Sequence, residues 1–276
     1  MPTLELDSTT LWYDVTGSGP PLVFVHGGWS HARAWQPQID YFADDYRVIT
    51  LDVRGHGRTG GGDGGRYSID LFADDLEAVF DHVDVDRPLL VGLSLGAMVA
   101  QSYLARHPDR AAGAVLAGPA RSMPPVDLPR GLKPFVSPLP ALASMLSVGG
   151  SEATFRWLLA SSRATTVGPW LAVDPAVRAR AIDTVGDVPP AEFRKIFAAL
   201  YRFDPPDLGH VSTPVRVIYG DHESPLVKHQ AGQILSALPR GSLTEIPDAG
   251  HLVNLDQPHV FNATCAEFLT ALEPAA

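Results

Sequence analysis

Along the chain, short apolar runs alternate with stretches of helical spacing. The run at 22–26 is continuous, the pattern of a strand covered on both faces as in a parallel sheet. Further strands are read at 10–15, 47–51, 89–91, 111–117, 215–219 and 242–246. Helices are predicted at 34–42, 67–82, 97–104, 226–238 and 258–272. In the second of these, Ile69, Phe72, Leu76, Val79 and Phe80 share one face, and Ser68 is placed to cap the first turn. Strand and helix follow one another strictly as far as residue 117, which is the α/β signature.

From 121 to 212 the pattern changes to scattered prolines and helical pieces at 139–146, 151–159, 175–184 and 190–201. The chain therefore divides into an α/β core, 1–120 with 213–276, and a helical cap at 121–212. No internal repeat is present.

One stretch organises the rest. Pro88 to Met98 runs from an apolar strand through Gly-Leu-Ser-Leu-Gly at 92–96 into a helix of small residues. Such a strand, sharp turn and helix push a serine hydroxyl out at the end of a sheet, which makes Ser94 the candidate nucleophile. The glycines at 92 and 96 keep the strand and helix free of side chains where they crowd together. No charge falls between Pro88 and Ala105, yet Gly92, Ser94, Gly96, Gln101 and Ser102 suit a buried strand and helix better than the roughly 20 apolar residues of a membrane span.

Composition narrows the possibilities further. A length of 276 residues suits one α/β core with an insertion. A net charge of -10 with no stripe of Lys and Arg argues against a nucleic-acid partner. The single Cys265 falls in an apolar helical pattern, so an intrachain disulfide is excluded and a buried thiol is expected. Residues 1–7 lack the basic and apolar regions of a signal peptide, and a cytoplasmic location is the expectation. No zinc-ligand spacing, no dinucleotide-binding glycine motif and no phosphate-cradling loop is present, so no metal and no cofactor are expected.

Five segments in order carry a resemblance: His26-Gly27-Gly28 after one strand, Asp52-x-Arg-Gly-His-Gly after the next, the turn at 92–96, Gly220-Asp-His-Glu, and Ala249-Gly250-His251 before the closing helix. Together they resemble the α/β-hydrolase superfamily, in its esterase, lactonase and perhydrolase-like branch with a helical cap. The resemblance covers nearly the whole chain outside the cap. It implies a mostly parallel central sheet flanked by helices, with the cap inserted after the sixth strand.

A serine hydroxyl needs a base within about 2.6 to 3.2 Å to take its proton. Of ten histidines, the resemblance assigns that role to His251, while His26 and His56 read as residues fixing their own loops. The base in turn needs a carboxylate to hold its tautomer. Asp221 and Glu223 have the same parity beyond the strand at 215–219, so alternation does not choose between them. The family spacing, Gly-x-x-Asp, points to Glu223 as the acid, a departure from the usual aspartate, with Asp221 as the runner-up. Leu95, the residue after the nucleophile, is one candidate oxyanion donor. The family match gives Gly28 as the other, with Trp29 as the near alternative.

The chain is thus expected to be a serine hydrolase cleaving a carboxylic ester or lactone of a small, apolar substrate. Trp29, Phe135, Trp157 and Val253 are the expected substrate-binding residues. Perhydrolysis, acyl transfer and carbon-carbon bond hydrolysis share the same constellation. A ligand receptor with a nearly silent triad is the alternative from another class, motivated by the unusual Glu223. Oligomeric state has no signature in the sequence.

Overall fold

A computed structural model of the chain describes residues 2–62, 65–123, 137–162 and 168–272. Eight strands form one sheet in the order β1-β2-β4-β3-β5-β6-β7-β8. These are β1 (Thr3–Leu6), β2 (Thr9–Thr16), β3 (Pro21–Val25), β4 (Arg47–Leu51), β5 (Leu89–Leu93), β6 (Gly113–Ala117), β7 (Val215–Gly220) and β8 (Gly241–Ile246). The pairs β1/β2 and β2/β4 are antiparallel and the other pairs are parallel.

Strand alternation builds a core on each face of this sheet. Val23, Val25, Leu90, Ala114 and Leu116 join one apolar cluster, and their neighbours Leu22, Phe24, Leu89, Val91, Val115 and Ala117 join the other. The first face is covered by α2 (Ile69–His82) and α3 (Leu95–Arg106), and the second by α1 (Gln36–Phe42) and the closing α9 (Pro258–Thr270). In α2, Ile69, Phe72, Leu76, Val79 and Phe80 are all buried, and Ser68 Oγ accepts the Leu71 N–H at 3.0 Å. Helix α7 (Pro225–Ala237) follows β7, and the short α8 (Val253–Asp256) precedes α9. Among the described residues no helix is long and apolar enough to cross a membrane.

Between β6 and β7 lie α4 (Leu139–Ser162), α5 (Pro175–Gly186) and α6 (Pro190–Arg202). Helix α4 is broken at Gly150, whose φ of 70° and ψ of -172° are not helical. The break separates the two pieces that apolar spacing predicts at 139–146 and 151–159.

Strand β1 has no counterpart among the predicted elements. Its four residues are exposed or half-buried, and Leu4 and Leu6 alone supply an apolar pattern, too little for a period to register. It is held as one arm of a hairpin, with Leu4 opposite Leu11 and Leu6 opposite Thr9. With β1 counted, the strand before α4, α5 and α6 is the sixth among the described residues.

The mutually parallel strands β3, β4, β5, β6, β7 and β8 end on the same edge of the sheet. Every loop that carries the chemistry described next leaves from that edge.

Candidate active site

Ser94 follows β5 directly and sits in the left-handed region, with φ 54° and ψ -109°. A non-glycine residue held there is strained, and the surrounding backbone imposes the strain. A Cβ on Gly92 would lie 2.3 Å from Gly96 O, and one on Gly96 would lie 2.1 Å from Val25 O. Only glycine allows β3, β5 and the start of α3 to approach this closely. Ser94 is then held through its backbone, its N–H donating to Ala117 O at 2.9 Å and its carbonyl accepting from Met98 N–H at 3.1 Å.

The hydrogen bond to Ala117 ties the turn to the end of β6, where Gly118 faces the next two loops. Gly118 has φ 50°, and a Cβ there would stand 2.9 Å from His251 Nδ1 and 3.2 Å from Glu223 Oε2. These two atoms are themselves 2.6 Å apart. The Glu223 side chain is fully buried and that of His251 is 13% exposed. The second oxygen, Glu223 Oε1, accepts the Ser224 N–H at 2.7 Å, so both carboxylate oxygens have partners. Burial by itself lowers the His251 pKa, but the charge of Glu223 and its hydrogen bond together hold it above the ordinary histidine value.

Asp221 faces elsewhere. It is exposed, and its Oδ1 accepts the Ala249 N–H at 3.1 Å, tying the loop after β7 to the one after β8. Burial raises its pKa, but the N–H groups of Ala249 and Asp248 and the nearby cations outweigh this and hold it below the ordinary aspartate value. The two acids part because Glu223 N–H turns back to Gly220 O at 3.0 Å, which ends strand alternation before parity has meaning. Asp221, His222 and Asp248 also bring metal-ligating atoms within 4.8 Å of one another, all three residues being exposed.

On the other flank of Ser94 lies the loop after β3. A Cβ on Gly27 would meet Ser94 Cβ at 3.5 Å, and one on Gly28 would meet Leu95 Cβ at 3.8 Å and Leu200 Cδ1 at 3.7 Å. Gly28 and Leu95 are therefore immediate neighbours beside the nucleophile candidate. His26 fastens this loop, with Nδ1 2.7 Å from Gly27 O and Nε2 accepting the Val53 N–H at 3.0 Å. Burial pushes the His26 pKa down to about 4, so the ring is neutral, as this pair of bonds requires. His56 is likewise buried, its pKa pushed down to about 3, and its Nδ1 lies 3.0 Å from Val53 O. Asp52 accepts the Ala32 N–H at 2.7 Å and the Arg58 N–H at 2.8 Å, and Arg54 forms a buried bidentate pair with Asp75 at 2.7 and 2.9 Å.

An aromatic wall begins at Trp29, the residue after Gly28. Trp29 stacks on Phe193 of α6 with ring centroids 4.6 Å apart, and Phe155 and Phe197 lie at 5.8 and 6.4 Å. Helix α6 is latched to the core at its first turn, where Tyr67 Oη donates to Glu192 Oε2 at 2.5 Å and Lys195 Nζ pairs with Glu192 Oε1 at 2.9 Å.

The expected pocket residues are distributed unevenly. Trp29 is at this wall. Trp157 is 54% exposed, and the aromatic residue of α4 that packs on Trp29 is Phe155, two positions earlier on the helix. Val253 is fully buried in the cluster on the opposite face of the sheet, with Trp35 and Phe261. Phe135 lies outside the described residues. Gly118, Trp170, Leu200 and Asp256 come close to the site without having been singled out. Gly118-Pro119 after a strand was a legible turn signal, whereas nothing in the local pattern distinguishes the other three.

The family model described as "Alpha/beta hydrolase family" matches residues 22–264. The carboxylesterase YbfK of Bacillus subtilis (strain 168) is 26% identical over 255 residues, covering 91% of this chain and 80% of that protein. The 3-oxoadipate enol-lactonase 2 of Acinetobacter baylyi is 27% identical over 263 residues, covering 94% and 93%. Among solved structures, a thermophilic esterase from Thermogutta terrifontis superposes with a TM-score of 0.83 over 99% of this chain and 100% of that one, at 22% identity.

Proposed function

The chain belongs to the alpha/beta hydrolase family, and from that premise we propose that it is a serine hydrolase that cleaves a carboxylic ester or lactone through an acyl-enzyme on Ser94. The observation that carries this reading is the 2.6 Å pair of Glu223 Oε2 and His251 Nδ1, joined to the Ser94 turn through Ala117 and Gly118.

In this mechanism His251 Nε2 takes the Ser94 proton as Oγ attacks the substrate carbonyl carbon. Glu223 holds the Nδ1 proton and stabilises the imidazolium that forms. The step requires Ser94 Oγ within hydrogen-bond reach of His251 Nε2 in the Michaelis complex. The tetrahedral oxyanion accepts the N–H groups of Gly28 and Leu95, each worth about 10² to 10³ in rate when aimed at the developing charge. His251 then gives its proton to the departing alkoxide. A water molecule, deprotonated by His251, attacks the acyl carbon and frees Ser94.

The aromatic wall of Trp29, Phe155, Phe193 and Phe197 supports an apolar acyl or alcohol group in the substrate. The helices α4, α5 and α6 serve as a cap over the core, with Leu200 of α6 beside the proposed oxyanion donor Gly28. The names of the two relatives, a carboxylesterase and an enol-lactonase, favour the same substrate class.

A panel of p-nitrophenyl esters and lactones, with a fluorophosphonate label, tests this reading. Turnover and labelling in the wild type, both lost in a folded Ser94→Ala, are expected. An unlabelled wild type that turns over no ester or lactone overturns it.

A further inference from the structure

The loop that carries His251 is gripped from the side of the inserted helices. His251 N–H donates to Trp170 O at 2.7 Å, and Leu252 N–H donates to Leu171 O at 2.9 Å. Trp170 and Leu171, which precede α5, therefore run against the histidine loop as a short backbone pairing. A Cβ on Gly250 would stand 2.5 Å from Trp170 O, so the two backbones are in direct contact. The Trp170 ring meets the imidazole edge-on, with centroids 5.6 Å apart and planes at 65°.

One carboxylate fastens both strands of this contact. Asp256 Oδ2 accepts the Gly250 N–H at 2.8 Å and the Val173 N–H at 2.8 Å, and Oδ1 accepts the Asp174 N–H at 3.1 Å. The segment is anchored to α5 in turn, because Arg178 Nη1 donates to Ala172 O at 2.8 Å and Asp174 Oδ1 accepts the Ala176 N–H at 2.7 Å.

We propose that Asp256 is a positioning residue for His251, seating the base by clamping the loop before it to residues 170–174. This rests on the reading of His251 as the base. Glu223 meets the imidazole through Nδ1 alone, and that one hydrogen bond leaves the direction of Nε2 to be fixed by other contacts. Where Nε2 points is then set by the backbone of 250–252, whose N–H groups are spoken for by Asp256, Trp170 and Leu171. A displacement of about 1 Å at Nε2 costs about 10²-fold in rate. The base is complete, on this account, when residues 170–174 are docked.

The test compares wild type, Asp256→Ala and Asp256→Asn, none of which alters a group that touches substrate. Asparagine keeps one oxygen for the Gly250 and Val173 N–H groups and turns an amide toward Asp174. With p-nitrophenyl butyrate, kcat is expected to fall about 10²-fold in Asp256→Ala and about 10-fold in Asp256→Asn, with KM within about threefold. The proton signal of the His251 Nδ1–H bonded to Glu223, identified by its loss in His251→Gln, is expected to shift or broaden in the same order while melting stays above the assay temperature. A folded Asp256→Ala with wild-type kcat and an unmoved imidazole signal overturns the proposal, as does a loss of kcat that only tracks the unfolded fraction. If Asp256→Ala does not fold, Asp256→Asn decides by the same two readouts. A wild type that hydrolyses no ester, while its imidazole signal still moves on substitution of Asp256, overturns the functional reading and leaves the positioning role standing.

Discussion

Glu223 reaches His251 with a carboxylate that is entirely out of water, its Oε2 2.6 Å from Nδ1 and its Oε1 closed by the backbone N–H of Ser224. The backbone turns at this residue, where the Glu223 N–H donates to Gly220 O at 3.0 Å. Asp221, two residues earlier, instead fastens the base of the histidine loop at Ala249.

Glu223→Gln is therefore expected to lower kcat/KM by about 10³ to 10⁴, because an amide holds the imidazole in the wrong tautomer and gives the imidazolium no countercharge. Asp221→Asn keeps an acceptor for Ala249 and is expected to cost less than about tenfold. Steady-state kinetics of the two purified variants checks this, and a larger loss in Asp221→Asn reverses the assignment of the acid.

The pH profile follows from the same pair. In the proposed mechanism His251 serves as a base only when neutral, and Glu223 holds its pKa above the ordinary value of 6.5. The acid limb of kcat/KM is expected to lie above that value, activity falling as pH drops through it. Removing the charge in Glu223→Gln takes away what raises the pKa, so the limb of the residual activity moves to lower pH. For stability the sign is opposite. The ion pair contributes fully below the unfolded histidine pKa and its contribution is lost as pH rises through the folded value, which melting curves of Ser94→Ala across that range measure.

Gly118→Ala probes how tightly the site is packed. Its φ of 50° disfavours any side chain by about 1 to 2 kcal/mol, and the new Cβ falls 2.9 Å from His251 Nδ1. A modest drop in melting temperature with a fall of about 10²-fold in kcat is expected, since the imidazole must give way. Equal activity in Gly118→Ala and wild type contradicts the tight seat described for the pair.

Loop anchoring has its own test in Arg54 and Asp75, whose side chains are 5% and 6% exposed. Asp75→Ala leaves a buried guanidinium without its partner and is expected to destabilise the fold by about 3 to 5 kcal/mol. Replacing both residues in Arg54→Leu with Asp75→Leu removes the unpaired charge and is expected to cost less than the single change. Urea unfolding of the two variants distinguishes them.

Much of the fold was legible because its signals are local. The continuous run of β3, the helical face of α2 with its Ser68 cap, and the glycines around Ser94 each express a backbone requirement within a few residues of themselves. Strand β1 was not legible, since two half-buried leucines do not make a period.

By itself the sequence determined the alternation that builds a parallel sheet, the strained turn that presents Ser94, and the order in which the loops of His26, Glu223 and His251 leave the same edge. Tertiary structure alone decided which aromatic residues pack on Trp29 and that Asp256 clasps the histidine loop to residues 173 and 174, whereas the contact of Glu223 with the imidazole is the one the family spacing points to. The physical reason is range. Periodicity and turn chemistry act over a turn or a strand, whereas Tyr67 meets Glu192 across 125 residues and Val173 meets Asp256 across 83, contacts that exist only once the inserted helices have settled on the sheet.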